Sequence, residues 1–177
     1  MNNVYTVLFS GLPCSGKTTL CKRLKPILEN HLGSPVAHLD GDVLRKGLCS
    51  DLKFLPKDRM ENIRRVSYVS QLLNDLGMTV LNSFVSPSKA SRDLARGIVS
   101  NFKMVYVDCP VEVCAKRDVK GMYKLAQQGV ISDFTGVNSQ FEVPDKNELN
   151  TDSLTVNTDT YTIEDCIDSI IKWLNID

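Results

Sequence analysis

Five short apolar runs punctuate the chain: Val4 to Ser10, Val36 to Leu39, Met78 to Val85, Met104 to Asp108 and Leu154 to Asn157. Each has the length and the Val, Leu, Tyr and Phe content of a buried strand. The segments between them space their apolar residues by three and four. The clearest predicts a helix from about Lys57 to Leu76, where Ile63, Val66, Val69, Leu72, Leu73 and Leu76 recur along one side. Gly77 follows where a left-handed residue closes a helix. Strands alternating with helices predict an α/β fold, a parallel five-stranded sheet with helices on both faces.

Two stretches break this rhythm. Lys120 to Gly129 reads as a polar helix with little apolar face, and Val130 to Asn150 carries Gly, Pro, Asn and Asp without periodicity. An irregular segment of this length inside a compact domain is characteristically a lid or a binding loop, here over about 118–150. No repeat, low-complexity tract or linker interrupts the chain. Its 177 residues are enough for one substantial core, so a single domain over 1–177 is expected.

Lys plus Arg and Asp plus Glu balance at 21 each, which removes the global basic field behind non-specific nucleic-acid binding. Any anionic ligand must be held by a local constellation. No apolar stretch approaches the roughly 18 residues of a membrane span, so no membrane partner is expected. The run at Val4 to Phe9 is too short for a signal peptide and lacks a basic flank, which points to the cytoplasm. Six cysteines without a C-x-x-C pair read as reduced thiols, in keeping with that compartment.

Gly11, Leu12, Pro13, Cys14, Ser15, Gly16, Lys17 and Thr18 fit G-x-x-x-x-G-K-[ST], and Thr19 continues into a helix. Glycines let backbone N–H groups converge on phosphate oxygens, and the helix N-terminus adds positive potential. Lys17 would reach the β- and γ-phosphates of ATP and Thr18 would ligate Mg²⁺. The second strand runs into Asp40-Gly41-Asp42, placing two carboxylates at the carboxyl edge of the sheet, where open α/β sheets bind ligands. One can orient Mg²⁺ through water while the other accepts the proton of an attacking hydroxyl. Gly41 between them permits a tight turn. Downstream, Arg45, Arg59 and Asn62 supply cations and an amide; Arg59 and Asn62, three apart, share a helix face suited to an anionic, hydrogen-bonding substrate. Arg64 and Arg65 read as structural.

These strings resemble the adenylyl-sulfate kinase family from Val4 to about Asn157. The matching text is Leu39-Asp-Gly-Asp-Val-Leu-Arg-Lys-Gly-Leu48, Asp58-Arg-Met-Glu-Asn-Ile-Arg-Arg65, Val85-Ser-Pro87, Arg117-Asp-Val-Lys-Gly-Met-Tyr123 and Phe134-Thr-Gly136. The resemblance implies a P-loop kinase fold and transfer of the ATP γ-phosphoryl group to the 3′-hydroxyl of adenylyl sulfate. It makes Asp42 the carboxylate nearest the acceptor hydroxyl, base or Mg²⁺-water ligand, with Asp40 as partner. Arg45, Arg59 and Asn62 match positions that hold the phosphosulfate and ribose, and Phe54 and Phe134 match the pair that sandwiches the substrate adenine. Val85 and Ser86 match the strand-end pair beside the acceptor, Ser86 being the position described as a phosphoserine intermediate. In-line transfer needs positioning and charge neutralisation rather than a covalent relay, which favours a hydrogen-bonding role for Ser86.

The resemblance also makes Arg117 the residue that stacks on the ATP adenine, Val156 and Thr158 the opposite wall of that site, and Lys120 a lid residue. It implies a homodimer and leaves association with an ATP sulfurylase open. Ser88-Lys89 stands where the family carries an aromatic residue and Arg, and Met122 where Leu is common. A P-loop kinase for another hydroxylated metabolite is the nearest alternative. A guanine-reading switch would carry N-K-x-D where this chain has Val156-Asn-Thr-Asp159.

Overall fold

The computed structural model describes residues 4–149 and 152–176. Five strands, β1 (Thr6–Ser10), β2 (Val36–Asp40), β3 (Thr79–Ser83), β4 (Phe102–Asp108) and β5 (Ser153–Asn157), form one sheet in the order β2-β3-β1-β4-β5. Every pairing is parallel. Helix α1 (Lys17–Leu32) follows β1; α2 (Gly41–Leu44) and α3 (Pro56–Asp75) follow β2. Helix α4 (Lys89–Ile98) follows β3, α5 (Val111–Arg117) and α6 (Met122–Gln127) follow β4, and α7 (Ile163–Leu174) follows β5. No helix among the described residues is long and apolar enough to cross a membrane.

The strands are continuously apolar because both faces are covered. Val7 and Phe9 join Leu20, Leu24, Leu28, Ile167 and Ile170 on the α1/α7 side, whereas Leu8 and Met104 join Ile63, Val66, Ala95 and Val99 on the α3/α4 side. Period-two alternation thus feeds two cores from one strand. Truncating fully buried Leu24 to Ala would cost about 2–5 kcal/mol. Strands leave β1 for opposite edges of the sheet, β2 and β3 on one side and β4 and β5 on the other, so a crevice opens at the carboxyl end of β1.

Helix α3 begins at Pro56, whose fixed φ suits a first helical position, and Gly77 follows it at φ 83°. Its apolar stripe is only partly covered: Leu72 and Leu76 are 59% and 71% exposed, while Asn62, Ser67, Ser70 and Asn74 are buried instead. Two of these face inward because they bond the sheet: Asn74 accepts from Thr6, and Ser70 accepts from Asn82. The polar stretch at Lys120 to Gly129 shortens to α6 and does have a small apolar face, burying Tyr123 and Ala126. Residues 130–149 are irregular apart from a bridge between Thr135 and Ser139. Asn150, the expected end of that segment, lies outside the described residues.

Candidate active site

The loop between β1 and α1 has the backbone its sequence demands. A Cβ on Gly11 would lie 2.5 Å from the Val107 carbonyl oxygen, so only glycine lets the loop pass β4. Cys14 and Gly16 have φ 62° and 103°, and no side chain caps the first N–H groups of α1. A ring of free donors at a helix N-terminus is an anion site. Lys17 is buried, its Nζ donating to the carbonyls of Gly11 (2.9 Å) and Leu12 (2.6 Å). Burial lowers its pKa to about 8, although Cys114, Cys14, Cys21 and Asp40 pull it back up. Thr158 ties the loop to Arg117: its hydroxyl donates to the Ser15 carbonyl (2.7 Å) and accepts from Arg117 (3.1 Å), whose other terminal nitrogen donates to the Thr158 carbonyl (2.6 Å).

Asp40 ends β2, and its Oδ2 accepts from the hydroxyls of Thr18 (2.7 Å) and Ser83 (2.8 Å), while Oδ1 accepts from the Asp42 N–H (2.9 Å). Burial pushes this carboxyl up, but those hydrogen bonds together outweigh it and its pKa lies below the ordinary value. Ser83 gives its one proton to Asp40, so His38 Nε2, 2.9 Å from the same hydroxyl, must be the donor to it. Asp42 is exposed and paired with Lys120 of the 118–150 segment. Among the described residues no three His, Cys, Asp or Glu side chains cluster to hold a metal. Two carboxylates and a threonine hydroxyl nevertheless suit a hard cation such as Mg²⁺, which takes few protein oxygens and completes its shell with phosphate and water.

A cavity of about 1150 Å³ joins these groups. It is lined by Pro13, Cys14, Gly16, Lys17, Thr18, Thr19, Asp40, Asp42, Arg117, Lys120 and Thr158, and also by Arg45, Phe54, Arg59, Asn62, Val85, Ser86 and Phe134. Asn62 Oδ1, Ser86 Oγ and Thr135 Oγ1 belong to lining residues, are buried, and have no hydrogen-bond partner. Each such orphan costs about 1–3 kcal/mol unless a ligand or water satisfies it. Phe54 is 45% exposed under the guanidiniums of Arg45 (4.4 Å) and Arg59 (5.7 Å), which excludes a core-packing role. Phe134 packs edge-on against Tyr123, ring centroids 4.9 Å apart.

Some expected residues are placed differently. Val156 is buried in the α1/α7 core and does not line the cavity, because it points from β5 into the sheet's covered face. Residues lining the cavity beyond Thr158 are Tyr161, Thr162 and Ile163, together with Val119. Gly11 and Ser15 belong to the loop but do not line this cavity, and Leu12 lines a separate cavity of about 630 Å³ with Tyr106, Asp108 and Phe141. Gly41 has no positive φ; its missing side chain makes room for the Phe84 ring, 3.2 Å from where a Cβ would lie. The guanidiniums of Arg45 and Arg59 donate to backbone carbonyls, Arg45 to Leu52 and Lys53 (both 3.1 Å), and Arg59 to Phe54 (2.8 Å) and Asp133. Arg64 and Arg65 pair with Glu61, and Arg65 also with Asp51, as structural cations do.

His38, Ser83 and Thr135 escaped the sequence reading. A signal existed for His38, since residues two apart on a strand share a face and His38 precedes Asp40 by two. All six cysteines are free thiols.

The family model described as Adenylylsulphate kinase matches residues 3–152. The chain is 44% identical over 174 residues to an adenylyl-sulfate kinase of Clostridium kluyveri, covering 98% of this chain and 84% of that one. It is 47% identical to one of Clostridium acetobutylicum, covering 94% and 80%. Among solved structures it is similar to the APS kinase CysC of Mycobacterium tuberculosis in complex with AMPPNP and APS, with a TM-score of 0.87, 36% identity and coverage of 97% and 98%.

Proposed function

The chain belongs to the adenylylsulphate kinase family, and from that premise we propose that its cavity transfers the γ-phosphoryl group of ATP to the 3′-hydroxyl of adenylyl sulfate, giving 3′-phosphoadenylyl sulfate and ADP. The observation that carries this reading is a single cavity lined at once by a phosphate loop, by two carboxylates, and by three orphaned polar side chains beside two aromatic rings. A donor nucleotide takes the loop, and an acceptor nucleotide satisfies the orphans.

In this reading the α1 N–H groups and Lys17 neutralise charge on the transferring phosphoryl group. Thr18 and Asp42, the latter through water, would hold Mg²⁺, which would supply positive charge to offset that of the phosphates. Asp42 takes the proton of the 3′-hydroxyl, and Asp40, fixed by Thr18, Ser83 and the Asp42 N–H, holds that turn in place. Lys120 releases Asp42 to the substrates and closes over them, excluding water. Phe54 and Phe134 stack on the acceptor adenine, with Arg45, Arg59 and Asn62 on its phosphosulfate and ribose. Arg117 and Thr158 flank the ATP base. Val85 and Ser86 border the acceptor hydroxyl.

The same reading makes the chain one domain over 1–177 that works in the cytoplasm as a homodimer and can associate with an ATP sulfurylase. The exposed apolar stripe of Tyr68 and Leu72 on α3 and Leu76 at its C-terminal end supports a protein contact. The test is to incubate the protein with MgATP and adenylyl sulfate and resolve the nucleotides. ADP and 3′-phosphoadenylyl sulfate should appear in equal amounts. ATP hydrolysis without transfer, or faster phosphorylation of a sugar acid or nucleoside monophosphate, would reject the assignment.

A further inference from the structure

Among the described residues Arg92, on α4, is the largest whose side chain is wholly removed from solvent. Its Nε and Nη2 meet the two carboxylate oxygens of Glu148, itself 3% exposed, with Nη2 3.0 Å from Oε2. Nη2 also donates to the Glu142 carbonyl (2.9 Å), and Nη1 to the Ser86 carbonyl (3.0 Å). One guanidinium therefore joins the strand end that carries Ser86 to the segment that follows Phe134 and Thr135. Backbone bonds run the same way: Glu142 N–H donates to the Pro87 carbonyl (2.8 Å), and the Glu142 carboxylate accepts from Lys89 N–H (2.6 Å).

A buried ion pair is a poor source of stability, because desolvation of both charges offsets their attraction and an apolar pair of similar volume serves as well. What the pair does supply is geometry. Ser86 has φ 44°, a left-handed conformation that a non-glycine residue keeps only where its surroundings impose it, and its hydroxyl lacks a partner. The planar guanidinium fork holds three acceptor groups at fixed angles, which an ammonium cannot do.

We propose that Arg92, through its pair with Glu148, is a positioning residue for phosphoryl transfer: it locks the Ser86 strand end and the 134–149 segment into one wall of the acceptor site. The identity of the acceptor rests on the kinase reading above; the tether itself does not. Without it, the Ser86 hydroxyl and the Phe134–Thr135 corner would be held together less rigidly, through the Glu142 bonds to Pro87 and Lys89. Acceptor geometry would suffer while the phosphate loop stayed intact.

Three variants test this: Arg92→Lys, Glu148→Gln, and the double variant Arg92→Met with Glu148→Leu. Melting temperature, amide exchange across 141–149, and kcat and KM for each substrate are measured on all three. Arg92→Lys should speed exchange across 141–149 and lower kcat/KM for adenylyl sulfate by about 10- to 100-fold, with KM for ATP nearly unchanged. The apolar double variant should melt above Glu148→Gln, which leaves a buried charge without its partner, yet keep the kinetic defect, since Met and Leu fill the space but cannot hold the Ser86 and Glu142 carbonyls. Recovery of wild-type kcat/KM along with melting temperature in the double variant would reduce the pair to a fold-holding role and overturn the proposal. So would unchanged exchange in Arg92→Lys. If the wild-type protein formed no 3′-phosphoadenylyl sulfate at all, the kinase reading would fall while the exchange data still decided the tether.

Discussion

Replacing Lys17 by Met removes a charge that the fold holds out of water. Burial lowers the ammonium pKa from 10.5 to about 8. At about 1.36 kcal/mol per unit, this is a penalty of ~3 kcal/mol on the charged form. Below pH 8 the folded and unfolded chains both carry the proton, so the penalty is fully present. Between pH 8 and 10.5 the unfolded chain holds a proton that the folded chain has lost, so wild-type stability gains with rising pH from this group. Methionine does not titrate. Urea unfolding of both proteins at several values from pH 7 to 10.5, followed by circular dichroism, should show wild type gaining on Lys17→Met by up to ~3 kcal/mol across that range. Tyrosine titrations are common to the two proteins and cancel in the difference; the Cys21 and Cys114 thiols couple to Lys17, so both proteins carry Cys21→Ala and Cys114→Ala in this comparison. ATP phosphates beside Lys17 raise its pKa again, so nucleotide binding above pH 8 should take up a proton, visible by calorimetry in buffers of different ionisation enthalpy. The variant should lose about 100- to 1000-fold or more in kcat. A stability difference independent of pH, or a variant with near-normal turnover, would refute the reasoning.

Asp42→Asn keeps the shape of the turn but removes the base, so kcat should fall by roughly 100-fold or more with little change in KM for adenylyl sulfate; a raised KM at constant kcat would make Asp42 a binding residue. Phe54→Ala and Phe134→Ala should each weaken adenylyl sulfate by about 1–3 kcal/mol and ATP by less, measured by direct binding, whereas equal losses would assign the rings to packing. Ser86→Ala should retain between roughly one hundredth and one tenth of activity, consistent with a lost hydrogen bond of about 1–3 kcal/mol. A chiral γ-phosphorus should emerge inverted; net retention with a phosphoserine at residue 86 that chases into product would restore the covalent relay.

Much of this protein is legible along the chain because local backbone chemistry leaves local marks. Gly11, Gly16 and Lys17 declare a phosphate loop, since only glycine fits beside Val107 and only a strand followed by a helix places those donors. The carboxylate pair at Asp40 and Asp42 follows from where β2 stops. Apolar runs too continuous for a half-buried strand already announced a sheet covered on both faces. The stripe on α3 shows the limit of that reading. Periodicity identified the helix, but it put Leu72 and Leu76, which stay exposed, on the apolar stripe and passed over Asn74 and Ser70, which the sheet needed as hydrogen-bond partners.

Other features belong to the tertiary structure alone, because they join residues whose separation along the chain carries no signal. Strand order brings His38 and Ser83 together through β2–β3 pairing, and with them the hydroxyl that fixes Asp40. Val156 reads as a strand-end ligand contact until β5 takes the sheet edge and turns it into the core. Arg92 and Glu148, 56 residues apart, look like two ordinary surface charges in the sequence. Only the packing of the 134–149 segment over α4 removes both from water and makes each the other's necessary partner, since a lone charge there would be far too costly to bury.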